Sequence, residues 1–131
     1  MRTLTLVPAL AIAMLLGQSC GVERPAGTAG NESSLVGGTC LNNSECDQGL
    51  CQAGTAFPGG ICTLSCGSSN DCPRASSCAE VATGIPMGWV CLVDCGSDGD
   101  CRTDYVCGSF TEAGTDGGST VRVCAGPEAT R

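Results

Sequence analysis

The chain has 131 residues, with 13 cysteines, six arginines, 13 acidic residues and neither lysine nor histidine. No cluster of cations is present to neutralise phosphates, which argues against nucleic acid as a partner and against polybasic adhesion to anionic lipid. Large apolar side chains are sparse after position 38, too few for a conventional core, so a cysteine content near one residue in ten points to a disulfide scaffold.

Residues 1–19, MRTLTLVPALAIAMLLGQS, read as a secretory signal peptide. Arg2 is the positive n-region, Leu4 to Leu16 a 13-residue apolar h-region, and Gly17-Gln18-Ser19 a small and polar cleavage region. As a helix, 13 residues span about 20 Å, short of a hydrocarbon core of ~30 Å, which disfavours a transmembrane anchor. Removing the leader leaves five arginines against thirteen acids, a net charge of −8.

Cys20 follows the h-region and fits no other spacing in the chain. Its setting resembles the bacterial lipobox, in which a lipoprotein signal peptidase cleaves before a cysteine whose thiol carries a diacylglycerol. Ser19 and the preceding leucines fit that pattern; Gly17 stands where leucine is usual, with Leu16 one place earlier. The resemblance implies lipid attachment at Cys20. The alternatives are ordinary cleavage before Cys20, leaving a free thiol, or cleavage near Ala26, removing it. Parity favours lipidation or removal, since either leaves twelve cysteines that can pair fully.

Residues 20–38 read as the anchor cysteine and a flexible linker. The stretch GVERPAGTAGNESSLVGG is rich in Gly, Ser, Thr, Ala and Pro and shows no apolar period. Eighteen such residues span about 25 Å as a coil. Asn31-Glu32-Ser33 and Asn42-Asn43-Ser44 match the glycosylation sequon, which matters only in a host that secretes through an endoplasmic reticulum.

Three four-cysteine units follow, over 39–65, 66–94 and 95–126, with a tail over 127–131. Their cysteines are Cys40, Cys46, Cys51 and Cys62; Cys66, Cys72, Cys78 and Cys91; and Cys95, Cys101, Cys107 and Cys124. The gaps are 5-4-10, 5-5-12 and 5-5-16, and three residues separate the units both times, in CTLSC and CLVDC. This is an internal repeat. An acid precedes each second cysteine (Glu45, Asp71, Asp100), and the third cysteine opens a stretch that turns at glycines and returns through β-formers to the fourth. Each such stretch predicts a short β-hairpin whose variable loop tolerates insertion.

Four cysteines allow three connectivities, so three independent units allow 27 combinations, and spacing alone does not choose among them. Bonding both hairpin cysteines back to the preceding loop pins that loop across the hairpin. This favours Cys40–Cys51, Cys46–Cys62, Cys66–Cys78, Cys72–Cys91, Cys95–Cys107 and Cys101–Cys124. Such loops contribute about 3 kcal/mol each in the chain-entropy treatment. The expected fold is small and disulfide-rich, mostly loop with short β-hairpins.

The spacing C-x5-C-x4-C-x10-C resembles the first four cysteines of an EGF-like module, where crossed pairing is the rule. The tandem arrangement and the NDC phrase are similar to the cysteine-rich N-terminal region of Dickkopf proteins, and the texture of residues 39–126 to cysteine-rich repeat lipoproteins of myxobacteria. The EGF pattern departs where its fourth and fifth cysteines lie one residue apart rather than three. These resemblances speak to architecture more than to function.

Without His and Lys, the usual general bases, Schiff-base amines and Ser-His triads are missing, so no catalytic residue is expected. No cysteine pair has the C-x2-C spacing of a zinc site, and no cofactor is expected. Asp98, Asp100 and Asp104 in GSDGDCRTD form a weak calcium candidate; the competing reading is that Asp and Gly simply build the turn. Phe57, Ile85, Met87, Trp89 and Phe110 lie in the hairpin stretches, either as partner-contact anchors or as cover for the disulfides. The reading as a whole is an exported protein, lipid-anchored through Cys20 at an outer membrane or cell surface, acting as a non-catalytic binding, adhesion or structural module. Its alternative is a secreted inhibitor or accessory protein that engages a partner enzyme through a hairpin loop.

Overall fold

The computed structural model describes residues 29–30, 35–47, 50–81 and 88–130. The leader, Cys20, Ile85 and Met87 lie outside them. The twelve remaining cysteines form six disulfides, first to third and second to fourth in every unit: Cys40–Cys51, Cys46–Cys62, Cys66–Cys78, Cys72–Cys91, Cys95–Cys107 and Cys101–Cys124. The Cα separations repeat as well, at 5.9, 5.9 and 5.8 Å for first-to-third pairs and 5.3, 5.5 and 5.5 Å for second-to-fourth pairs.

Each unit is a 3-10 turn followed by an antiparallel hairpin. The hairpins are β1 (Leu50–Gly54) with β2 (Phe57–Thr63), β3 (Ser76–Val81) with β4 (Gly88–Val93), and β5 (Val106–Thr111) with β6 (Thr120–Ala125). The third and fourth cysteines stand directly opposite each other in all three, as Cys51 and Cys62, Cys78 and Cys91, and Cys107 and Cys124. They are cross-strand neighbours, yet each bonds back to the turn, so the turn is laid over the hairpin. The returning strands carry the β-branched and aromatic residues, as in GWVCLV and TVRVCA, which suit a pleated and partly buried surface.

The three-residue joints have a structural reason. Ser65 bridges to Val90 and Asp94 to Val123, so each joint runs as a short third strand along the next unit's returning strand. The Cys66 N–H donates to the Trp89 carbonyl (3.1 Å), Cys91 N–H to that of Leu64 (3.0 Å), and Cys95 N–H to that of Arg122 (3.0 Å). In unit 1 the chain before Cys40 takes this place. Gly37 N–H donates to the Cys62 carbonyl (2.9 Å) and Cys62 N–H to that of Gly38 (2.8 Å).

This corrects the linker expected over 20–38, because its last part belongs to the folded domain. Val36 is fully buried, Ala29 is buried, and Ala29 N–H donates to the Arg74 carbonyl at 2.8 Å. Gly37 has a φ of +104°, and a Cβ there would lie 2.4 Å from Val93 Cγ2. The tail is packed too: Pro127–Thr130 forms a 3-10 turn against β5, with Ala129 on the core.

The units are not independent beads, since one apolar cluster runs through all three. It joins Val36, Phe57 and Ile61 to Leu92 and Val93 of unit 2 and to Phe110 and Val123 of unit 3. Thr63 is buried and its hydroxyl donates to the Cys91 carbonyl at 2.6 Å. Ala113 N–H donates to the Cys78 carbonyl (3.1 Å), linking units 2 and 3, and Gly126 N–H to that of Ala56 (2.8 Å), linking units 3 and 1. Each unit therefore touches both others. Among the described residues no helix is long and apolar enough to cross a membrane.

Candidate functional site

The acids that precede each second cysteine are turn-builders. Asp71 accepts from the N–H groups of Gly67 (2.8 Å) and Ser68 (2.9 Å). Asp100 accepts from Gly96 and Ser97, both at 2.8 Å. Glu45 accepts from Leu41 N–H at 2.8 Å. These bonds hold the Asp71 and Asp100 carboxyls below the ordinary carboxylate range, the backbone N–H groups being the largest cause in both. Two residues earlier, Asn43, Ser69 and Asp98 accept from the third cysteine's N–H through Oδ1, Oγ and Oδ1, at 2.8, 3.1 and 2.8 Å. That bond ties the first strand of each hairpin to its own unit's turn.

Asp98 and Asp100, two of the three calcium candidates, thus have oxygens committed to backbone donors. Asp104 stands apart from this network, on left-handed backbone with a φ of 70°. Ser69 and Asn43 occupy the Asp98 place in the other units and make the same bond, so the arrangement serves the turn whether or not the residue is charged. Three sulfurs in each unit lie within 4.8 Å of one another (Cys40, Cys46 and Cys62; Cys66, Cys72 and Cys78; Cys95, Cys101 and Cys124), but each is held in a disulfide.

The aromatic candidates divide by burial. Phe57 and Phe110 are core residues, 5% and 7% exposed. Their place as contact anchors is corrected: in domains this small the large side chains are drawn inward, where they fill the space between hairpins. Trp89 is half-buried, packed on the core from β4 and paired across the hairpin with Glu80. Met87 lies outside the described residues. Among those described, Leu41, at the start of unit 1, is a large apolar side chain left 87% exposed.

Two features escape a reading by cysteine spacing. Arg102 of unit 3 lies over the Tyr105 ring, 4.0 Å from its centre, and its Nη2 donates to the Tyr105 hydroxyl and to the Gly60 and Pro58 carbonyls of unit 1, the last at 3.1 Å. Burial raises the Tyr105 phenol above its ordinary value, with Arg102 opposing. The second feature is the loop of hairpin 3, which is braced internally. Glu112 N–H donates to the Ser119 carbonyl (2.8 Å), Ser119 Oγ to Glu112 Oε2 (2.8 Å), and Thr115 Oγ1 to the Glu112 carbonyl (3.2 Å). The other Glu112 oxygen accepts from Ser69 Oγ of unit 2 at 2.6 Å, and these hydroxyls, Ser69 first, lower the Glu112 carboxyl.

No protein-family model, no curated protein and no solved structure matches this chain. The chain forms a small disulfide-rich fold of three interlocked hairpin units, its cross-linking consistent with export into an oxidising compartment.

Proposed function

We propose that the protein is an exported lipoprotein, anchored through Cys20, that displays this three-unit body as a non-catalytic binding or adhesion module in the cell envelope. The observation that carries the reading is cysteine parity. The fold consumes all twelve cysteines of the repeat, and the one left over stands at the end of a signal-like apolar run. A free exported thiol is prone to oxidation and exchange, so acylation gives that cysteine a use. The surface offers rigid backbone and acidic turns, and the chain brings no histidine or lysine to acid–base or covalent chemistry.

The test is the mass of the mature N-terminus, together with detergent partitioning of the native protein. Acylated Cys20 and recovery in the detergent phase are expected; an unmodified N-terminus and recovery in the aqueous phase would sink the anchor. The braced loop of hairpin 3 supports a second reading, in which a secreted inhibitor or accessory protein inserts that loop into a partner enzyme. Inhibition of a protease panel, lost on replacing residues 113–118 with a shorter turn, would favour it.

A further inference from the structure

The two crossed bonds of unit 3 lie side by side. The sulfurs of Cys95, Cys101 and Cys124 stand within 4.8 Å of one another. Cys101 and Cys124 form one bond, and Cys95 belongs to the other, with Cys107. Cys107 in turn stands directly opposite Cys124 across the hairpin. Its N–H donates to Asp98 Oδ1 rather than to the facing strand. The two cysteines are therefore a non-hydrogen-bonded pair, with Cα atoms about 4.5 Å apart. That separation is within the span of a disulfide. The four sulfurs are thus placed for two pairings: the crossed one, and a local one that joins Cys95 to Cys101 and Cys107 to Cys124.

Access and packing single out this unit. Both residues of its outer bond, Cys95 and Cys107, are partly buried, as is Cys101. In unit 1, Cys40, Cys46 and Cys62 are buried, and in unit 2, Cys72, Cys78 and Cys91 are fully buried. Shifting a fully buried sulfur disturbs close-packed neighbours, whereas Cys95 and Cys101 only border the core. The unit 3 turn is also held without its cross-links. Asp100 accepts from the Gly96 and Ser97 N–H groups, and Asp98 from that of Cys107. Turn and hairpin therefore keep their places while the sulfur bonds change.

We propose that unit 3 is a thiol-triggered switch between these pairings, its trigger a low-molecular-weight monothiol. The incoming thiolate attacks the Cys107 sulfur; a mixed disulfide forms, the Cys95–Cys107 bond breaks, and its electron pair leaves on Cys95. The freed Cys95 thiolate turns about its Cα–Cβ bond into line with the Cys101–Cys124 axis. It attacks Cys101, and the electron pair leaves on Cys124. The Cys124 thiolate then attacks Cys107 across the hairpin and expels the original thiolate. Two disulfides are exchanged for two, nothing is oxidised or reduced overall, and the monothiol is regenerated. Without a thiol the crossed pairing is the resting state. The switch unties the turn from the hairpin. Arg102, next to Cys101 in that turn, holds unit 1 through the Pro58 and Gly60 carbonyls, so the seam between units 3 and 1 loses its covalent support.

The arginines make the switch readable. The exported chain carrying Cys20→Ser, folded and oxidised so that it has no thiol of its own, is treated with a substoichiometric amount of free cysteine. It is then quenched with an alkylating agent and digested with trypsin. Cleavage after Arg102 and Arg122 places Cys107 on peptide 103–122 and Cys124 on peptide 123–131, apart from Cys95 and Cys101 on peptide 75–102. In the crossed form both short peptides are bound to 75–102; in the local form they are bound only to each other. That two-peptide species is expected to appear about tenfold faster than any changed linkage in unit 2, since access governs the first attack. Amide exchange at Gly60 and Ile61 is expected to rise several-fold in the switched fraction. Crossed links retained in unit 3, free thiols without the new pair, equal exchange in all units, or bonds scrambled between units would overturn the switch. Unchanged exchange at Gly60 and Ile61 would overturn its coupling to unit 1.

Discussion

Units 2 and 3 share one covalent frame but not one environment. In unit 2, Cys72, Cys78 and Cys91 are fully buried and belong to the apolar core. In unit 3, Cys95, Cys101 and Cys107 are partly buried, and Cys124 is buried. The turn, the crossed bonds and the cross-strand register are the same, so the difference comes from position. Unit 2 is covered on one side by the Thr63–Ser65 joint and on the other by Glu112 and Ala113, while unit 3 carries the turn at Pro127–Thr130 against β5. A disulfide is thus both cross-link and core residue in unit 2, and chiefly cross-link in unit 3.

The largest effect should come from taking that contrast apart. Replacing Cys72 and Cys91 with alanine removes a cross-link and leaves apolar space behind, at a cost of about 3–5 kcal/mol. Replacing Cys95 and Cys107 removes a more exposed link, at a cost of about 2–3 kcal/mol. Denaturant titration of both variants measures the gap, and equal losses would mean that burial adds nothing to the cross-link. Graded reduction followed by alkylation gives the same order kinetically, with Cys95–Cys107 opening before Cys72–Cys91 because a reductant must reach the sulfur.

A smaller effect tests how tightly unit 1 is fitted. Gly60 has a φ of +70°, and a Cβ there would lie 1.9 Å from the Cys40 carbonyl oxygen; its neighbour Gly59, at +73°, has open space. Both alanine variants are strained by backbone, at about 1 kcal/mol. Only Gly60→Ala must also displace unit 1's own turn, so its melting temperature should fall further than that of Gly59→Ala. Arg102→Met removes the bonds to the Pro58 and Gly60 carbonyls and should cost about 1–2 kcal/mol. Hydrogen exchange should then show hairpin 1 loosened around Pro58 and Gly60 while unit 2 is unchanged.

The smallest effect concerns acid. The folded-state values of Asp71 and Asp100 lie below the ordinary 3.8. Their contribution is therefore present above that value and lost as pH falls through the lower folded value. Once pH falls through their lowered folded values, beneath the ordinary carboxylate range, the amides of Gly67, Ser68, Gly96 and Ser97 should exchange faster, relative to the intrinsic rate, while the hairpins stay protected by their disulfides. Asp100→Ala should free the Gly96 and Ser97 amides at neutral pH and leave those of unit 2 unaffected.

The repeat, the hairpins and the three-residue joints were legible because cysteine spacing is a strong signal in a chain with little else to read. The acid before each second cysteine was visible as a recurrence; its partner two residues earlier was not, since Asn43, Ser69 and Asp98 share a hydrogen-bonding role rather than a chemical type. The shared core was hidden for a different reason. Phe57, Ile61, Leu92 and Phe110 sit singly in short strands, where no period accumulates, and only the stacking of units brings them together. Val36 and Ala29 were masked by a linker-like composition, because small residues pack by backbone contact as readily as they form coil. Cys20 and Met87 lie beyond the described residues, so their roles rest on sequence.

Peptide mapping of the disulfides in protein purified without reductant from its natural source bears most directly on the whole picture. Six crossed pairs, two per unit, with no free thiol and Cys20 recovered as an acylated N-terminus, are expected. Reduced cysteines within the repeat, or direct Cys51–Cys62, Cys78–Cys91 and Cys107–Cys124 bonds across the hairpins, would show that something other than turn-to-hairpin cross-links shapes this chain.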